Sequence, residues 1–169
     1  MSQPILRTDS HTISLLVANK PGVLVRIALV FSRRGFNIES LVVSPDLDGR
    51  FSRMTITARG DRSVLEQIIK QAAKLVDVVS ANEHEGEHVE KELALIKISI
   101  KDEQKRAQLL QIVHHFKAET VDLAQESLVI QATGSTKKLD AMIEMLSAYT
   151  IKEIVRTGKV LMARGKEKT

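Results

Sequence analysis

The chain has 169 residues, 43% of them hydrophobic, with a formal charge of +4 and a pI of about 9.4. That length suits one ordinary domain or two small ones, and no apolar run approaches the ~20 residues of a membrane helix. The absence of cysteine excludes disulfide staples, thiolate nucleophiles and cysteine-ligated metals.

Residues 1–10 read as an N-terminal extension: Gln3, Pro4, Arg7 and Asp9 interrupt any apolar core, so neither export nor a membrane anchor is expected and a cytoplasmic location is. Ile13 to Ala18 reads as a strand. Leu24, Ile27, Ala28 and Phe31 then fall at i, i+3, i+4 and i+7, the stripe of an amphipathic helix. Between them lie Asn19, Lys20, Pro21, Gly22, Val23 and Leu24. A strand that ends where a helix begins delivers the helix's first N–H groups, which have no intrahelical acceptor, and Gly22 permits close approach to the backbone. A carboxylate or phosphate finds donors and the positive helix end there. The same residues also suit a plain turn at Pro21-Gly22 with Asn19 as the helix cap. Arg33-Arg34-Gly35 supplies the stop signal.

Strands follow at Ile38 to Ser44 and Ser52 to Ala58, joined by a hairpin turn around Pro45-Asp46-Leu47-Asp48-Gly49. The second helix carries Leu65, Ile68, Ile69 and Ala72; Ser63 to Glu66 has capping-box spacing, with Asp61 as the rival cap. Val76 to Ala81 closes the half as a strand. The polar stretch from Asn82 to Glu92 follows, and then the pattern repeats. Strands are expected at Leu93 to Ile100, Glu119 to Leu123, Leu128 to Thr133 and Ile151 to Arg156, with a turn at Ala124-Gln125-Glu126. The helices carry Leu109/Ile112/Val113/Phe116 and Leu139/Met142/Ile143/Leu146, the latter capped by Ser135 or Thr136. Lys159, Arg164, Lys166 and Lys168 make a basic end, which a solvated tail explains as readily as a nucleic-acid surface.

Each half is therefore β-α-β-β-α-β, and the fold class is α+β with two tandem ferredoxin-like units. The expected domains are 11–83 and 92–158, with a linker over 84–91 and a basic tail over 159–169. Units of about eighty residues have thin cores, and a four-stranded sheet leaves two edges and one face open. Dimerisation or docking of the halves is expected to bury them.

Little in the chain resembles a catalytic site. His84-Glu85-Gly86-Glu87-His88 matches the H-E-x-x-H string, but that site needs a helix to put both imidazoles on one face, and this stretch has a central glycine and no apolar face. Adjacent His114 and His115 point apart on a helix. There is no Walker loop, G-x-S-x-G elbow or G-x-G-x-x-G. RNA-binding sheets stack bases on aromatics, and neither Arg53 to Thr57 nor Leu128 to Gln131 contains one. The chain reads as a binding protein with no catalytic or metal site and no nucleic-acid partner.

The run Phe31-Ser32-Arg33-Arg34-Gly35-Phe36-Asn37-Ile38-Glu39-Ser40-Leu41, taken with the preceding loop, resembles the regulatory small subunit of acetolactate synthase, also called acetohydroxyacid synthase. The likeness extends over Ser52 to Ile56, Lys74 to Val78, Glu92 to Lys97, Val121-Asp122, Thr133-Gly134, Lys138-Leu139-Asp140 and Arg156-Thr157-Gly158. Phe36, where tyrosine is frequent, and Ala18, where an acidic residue often stands, are departures. The resemblance implies a first half that is an ACT domain, a homodimer with ACT sheets joined side by side, and a separate catalytic large subunit. It implies that the chain activates that subunit and confers inhibition by valine. Thiamine diphosphate, Mg and FAD are expected on that partner and no cofactor on this chain.

Combined with the anion cradle, it places valine at the dimer interface, against the backbone of Lys20, Pro21, Gly22, Val23 and Leu24, with Asn19 and Asn37 supplying amides. Val23, Leu24, Ile38 or Val42 are expected to lie against the isopropyl group. Asn37 could equally be a turn residue following Gly35. The alternative function is a stand-alone amino-acid-responsive transcriptional regulator, which would need a DNA-reading helix or ribbon; no helix-turn-helix pattern flanks either unit.

Overall fold

In the computed structural model, which describes residues 10–83, 87–166 and 169, the repeat is explicit. The first half contains β1 (Ser10–Ala18), α1 (Val23–Ser32), β2 (Asn37–Pro45), β3 (Phe51–Arg59), α2 (Arg62–Ala72) and β4 (Val78–Glu83). The second contains β5 (His88–Ser99), α3 (Glu103–His115), β6 (Glu119–Leu123), β7 (Ser127–Gly134), α4 (Thr136–Leu146) and β8 (Thr150–Arg156), followed by β9 (Val160–Ala163). The strand orders are β2-β3-β1-β4 and β6-β7-β5-β8, with β9 also pairing β5. The paired neighbours of both four-strand paths run antiparallel. This is the ferredoxin-like arrangement, twice over.

Alternation on the central strands sets each core. Ile13, Leu15 and Val17 of β1 pack with Met54, Ile56 and Ala58 of β3, beneath Ile27 and Phe31 of α1 and Leu65, Ile68 and Ala72 of α2. In the second half Ala94, Ile96 and Ile98 of β5 join Leu128, Ile130 and Ala132 of β7 under Leu109 and Val113 of α3 and Leu139, Met142 and Leu146 of α4. Each fully buried aliphatic side chain contributes roughly 1.5–3 kcal/mol. The cores are separate, and the chain divides into two compact units: residues 1–89 with 161–169, and residues 90–160.

Helix ends follow the residues available. Asp61, rather than Ser63, caps α2, accepting from the Ser63 N–H at 2.8 Å. Hydrogen bonds from the Ser63 hydroxyl and N–H hold its carboxyl below the usual range. Asp102 caps α3, accepting from Gln104 and Lys105, and Ser135, rather than Thr136, caps α4. At the end of α1, Gly35 adopts φ +69° while Phe36 N–H reaches the Phe31 carbonyl and Gly35 N–H the Ser32 carbonyl, a Schellman closure.

Three expectations need correction. The strand expected from Val76 starts at Val78, because the Val78 N–H closes a turn on the Leu75 carbonyl and leaves Val76 exposed. Within the linker expected over 84–91, residues 88–91 are already strand β5; its polar residues still alternate, and β9 supplies backbone partners for β5. The basic tail expected over 159–169 is in part β9: Leu161 is buried, Lys159 pairs with Glu90 at 3.3 Å, and the Ala163 N–H donates to the Thr169 hydroxyl at 2.8 Å. Arg53 of β3 in turn donates to the Thr169 carbonyl, which ties the segment to the first unit.

The second unit has one buried charged anchor. The Glu92 side chain, 5% exposed, binds Arg156 through Nε at 3.1 Å and Nη2 at 2.5 Å and accepts from the Thr136 hydroxyl, while Arg156 also reaches Asp140 at 2.7 Å. Removing one partner strands the other in a partly dry site. Glu92→Ala is expected to lower unfolding stability by roughly 2–3 kcal/mol in urea denaturation, less than for a fully buried pair because Arg156 remains partly solvated. Asp140→Ala, at the exposed end of the network, should cost under about 1 kcal/mol.

Candidate functional site

The loop from Asn19 to Gly22 is held to the sheet through its backbone. The Ala18 N–H donates to the Asp77 carbonyl at 2.7 Å, and the Asn19 N–H to the Arg50 carbonyl at 2.9 Å. Gly22 then takes φ +84°, ψ −12°, a left-handed conformation open to glycine at little cost, and α1 begins at Val23. A Cβ on Gly22 would meet nothing within 4 Å, so the glycine serves the backbone turn and leaves the space beside it open.

Alone among the four described helices, α1 has no side-chain cap. Among the described residues, the N–H groups of Gly22, Leu24 and Val25 also lack a backbone acceptor, and that of Val23 has only the Lys20 carbonyl at 3.5 Å. These amides lie at the positive end of a ten-residue helix, a setting whose chemistry favours a carboxylate or phosphate. Asn19 is not the cap. Its Nδ2 donates to the Gly49 carbonyl at 2.9 Å, tying the loop to the β2–β3 hairpin, and its amide oxygen remains an acceptor.

Within one chain the expected residues do not all meet. Asn19, Lys20, Pro21 and Gly22 are exposed and contiguous; Leu24 is 42% exposed beside them, while the Val23 side chain is buried in the core. Asn37 opens β2 opposite Arg59, whereas Pro45, near the loop, closes it opposite Ser52. In one chain Asn37 therefore lies at the far end of the sheet, ~26 Å along the strand at about 3.3 Å per residue. There it borders an open concavity of about 470 Å³ lined by Ala28, Phe31, Ser32, Gly35, Phe36 and Ile38.

Val42 also departs. Even spacing would put it on the same face as Ile38, but a bulge between Ile38 and Ser40 adds a residue. Ile38 pairs with Ala58 on the core face and Val42 with Thr55 on the face away from the helices. Sequence reasoning missed two neighbours of the loop: Arg26 of α1, bonded to Asp77 at 2.7 Å, and the hairpin turn itself. Asn19's reach to Gly49 had no sequence signal, since the two are thirty positions apart.

The histidine motifs find no common centre. His88 lies in β5, a strand where the H-E-x-x-H site requires a helix, and His84 to Gly86 lie outside the described residues. His114 and His115 are exposed at the end of α3. No group of His, Asp and Glu among the described residues is placed to hold a metal, and no described helix is long and apolar enough to cross a membrane.

Comparison with known proteins agrees with this layout. Residues 13–80 match the AHAS small subunit-like ACT domain, and residues 91–165 match the family described as small subunit of acetolactate synthase. A probable acetolactate synthase small subunit from Archaeoglobus fulgidus is 46% identical over 158 residues, covering 94% of this chain and 99% of the relative. An acetolactate synthase small subunit from Mycolicibacterium smegmatis is 46% identical, covering 94% and 93%. The crystal structure of the acetolactate synthase small subunit from Thermotoga maritima superposes with a TM-score of 0.82 at 40% identity, covering 94% of this chain and 99% of that one. The two sheets, the ACT loop and these matches along both halves place the chain in the acetolactate synthase small-subunit family.

Proposed function

We propose that this chain is the non-catalytic regulatory subunit of an acetolactate synthase, activating the thiamine-diphosphate-dependent large subunit and making it sensitive to valine. End-product control of branched-chain amino-acid synthesis follows from that coupling. The chemistry belongs to the large subunit with its thiamine diphosphate, Mg and FAD; this chain contributes a ligand site and a contact surface. The observation that carries the reading is the uncapped start of α1, with the open N–H groups of Gly22, Leu24 and Val25.

Valine's carboxylate meets those amides. Its ammonium needs an acceptor, which an asparagine side chain supplies through its oxygen while its NH2 donates to the carboxylate. Asn19 is at hand in the same chain, but Asn37 is at the opposite end of the sheet. The two serve one ligand only if a second copy contributes Asn37. Pairing β2 with its counterpart across a two-fold axis does this, because antiparallel edge strands set the Asn37 end of one copy beside the Pro45 end of the other.

Two features favour that edge. β2 terminates its sheet, and the neighbouring surface exposes Leu24, Val25 and Leu29 of α1 with Val43 of β2. In such a homodimer, Leu24 of one copy and Ile38 of the other wall the isopropyl group. One methylene is worth only ~1–3 kcal/mol, so leucine and isoleucine bind more weakly without being excluded. Valine then regulates to the extent that it distinguishes two states of the assembled enzyme, a coupling of typically ~1–3 kcal/mol.

Light scattering on the purified chain should give twice the 18.8 kDa chain mass; a monodisperse monomer at micromolar concentration would remove the shared site. Gly22→Asp would install at α1 the kind of carboxylate that Asp61 and Asp102 supply to α2 and α3. The expected outcome is loss of valine inhibition with activation of the catalytic subunit retained. Gly22→Ala has the same left-handed backbone and no carboxylate, so it should lose about 1 kcal/mol of stability and keep its valine response. Calorimetric titration with valine, with and without the large subunit, reads both; unchanged valine inhibition in Gly22→Asp would take the loop out of the mechanism.

A further inference from the structure

The ring of Phe36 rests on the backbone of Gly60. Phe36 stands between the turn that closes α1 and the first residue of β2, and its N–H is fixed on the Phe31 carbonyl at 3.1 Å. Asn37 pairs with Arg59, so one step further the antiparallel register sets Phe36 opposite Gly60, the residue between β3 and the α2 cap Asp61. A Cβ on Gly60 would overlap Phe36 Cζ and lie 2.5 Å from Cε1 and 2.8 Å from Cε2, where unbonded carbons need about 3.5 Å. The three atoms nearest that position all belong to the ring, so the ring is what a side chain there would displace. Gly60 does not share the left-handed φ of Gly22 and Gly35, and alanine fits its backbone. What glycine supplies at this strand end is close approach.

The same ring lines the open concavity of about 470 Å³ at the Asn37 end of the sheet, together with Ala28, Ser32 and Ile38. Phe36 is half-buried, packed against the core of the first unit while bordering that concavity. Its backbone is held by the α1 closure, so the depth of the ring depends on what lies beneath it, and Gly60 puts no side chain there. The two-fold pairing of β2 argued above brings Asn37, and this concavity with it, to the α1 start of the second copy. The aliphatic side chain of the effector then extends into the concavity.

We propose that Phe36, seated on Gly60, sets how large an aliphatic side chain the effector site accepts. The ring is the floor of the concavity that receives the side chain, and Gly60 fixes the depth of that floor. Phe36 is thus a specificity residue and Gly60 a positioning residue that acts through it. This rests on the shared valine site proposed above and adds the feature that separates valine from leucine and isoleucine.

The test is calorimetric titration of the full-length chain with valine, leucine and isoleucine, repeated as inhibition of the assembled enzyme, for wild type, Phe36→Leu, Gly60→Ala and the double variant. Phe36→Leu deepens the concavity and should improve leucine and isoleucine relative to valine by about tenfold, the scale of one methylene. Gly60→Ala lifts the ring and should move the same ratio by a similar factor in the opposite direction. In the double variant the ring is gone, the added methyl has nothing to lift, and the ratio should match that of Phe36→Leu alone. The ratio is the decisive readout, because a contact that only supported the fold would weaken all three ligands alike. Equal weakening of the three, or an unchanged ratio in both single variants, overturns the proposal and leaves the shared site standing. Additive shifts in the double variant would show that Gly60 acts other than through the ring, which overturns its positioning role. Should Gly60→Ala fail to fold, Phe36→Leu alone decides by the same ratio. No response of the wild-type chain to any of the three amino acids, with or without the large subunit, overturns both readings.

Discussion

The open N–H groups at the start of α1 are the constraint to which the first unit is arranged. Helix donors usually meet a side-chain oxygen within the first turn, and Asp61, Asp102 and Ser135 provide one for the other three helices. At α1 the corresponding position is Gly22, which has no side chain to offer and whose φ of +84° aims the chain into the helix. Water can satisfy these donors in the free chain, and a carboxylate can do so with better electrostatics. The helix therefore begins with uncapped N–H donors where its counterparts begin with their own oxygens.

That contrast extends to the repeat. The loop entering α3 stands where the loop entering α1 stands, between the first strand and first helix of its unit, yet Asp102 closes it. Two copies of one topology have been given different chemistry by a single position. The residues that carry the family likeness divide accordingly. In the first half they run from the loop before α1 into β2, with further blocks on β3 and at the turn between α2 and β4. In the second, Glu92, Asp140 and Arg156 build a partly buried ion-pair network, whose role is to hold β5, α4 and β8 together. Resemblance alone does not separate a binding block from a structural one; burial and partners do.

Sheet register turns the ligand reading into a statement about assembly. Asn19 and Asn37 are both amides suited to a zwitterion, but α1 runs back along the sheet between them and leaves them at opposite ends. A site that uses both is incomplete in one chain. The exposed aliphatics of α1 and β2 lie along the edge where a second copy would complete it. Through Asn19 the hairpin turn belongs to the same structural unit as the loop.

Strand and helix identities were legible in the sequence because they rest on local periodicity: the four apolar stripes and the alternation in β1, β3, β5 and β7 fall on the observed elements. Gly22 and Gly35 announced the helix boundaries for the same local reason. Tertiary structure alone decided the rest. The extra residue at Glu39 that separates Ile38 from Val42, the distance of Asn37 from the loop, Asn19's bond to Gly49 and the pairing of β9 with β5 all depend on strands far apart in sequence. Spacing within a segment records which residues share a face of that segment. Which end of the sheet a residue occupies, and what lies beside it, is set by non-local pairing that no single segment encodes.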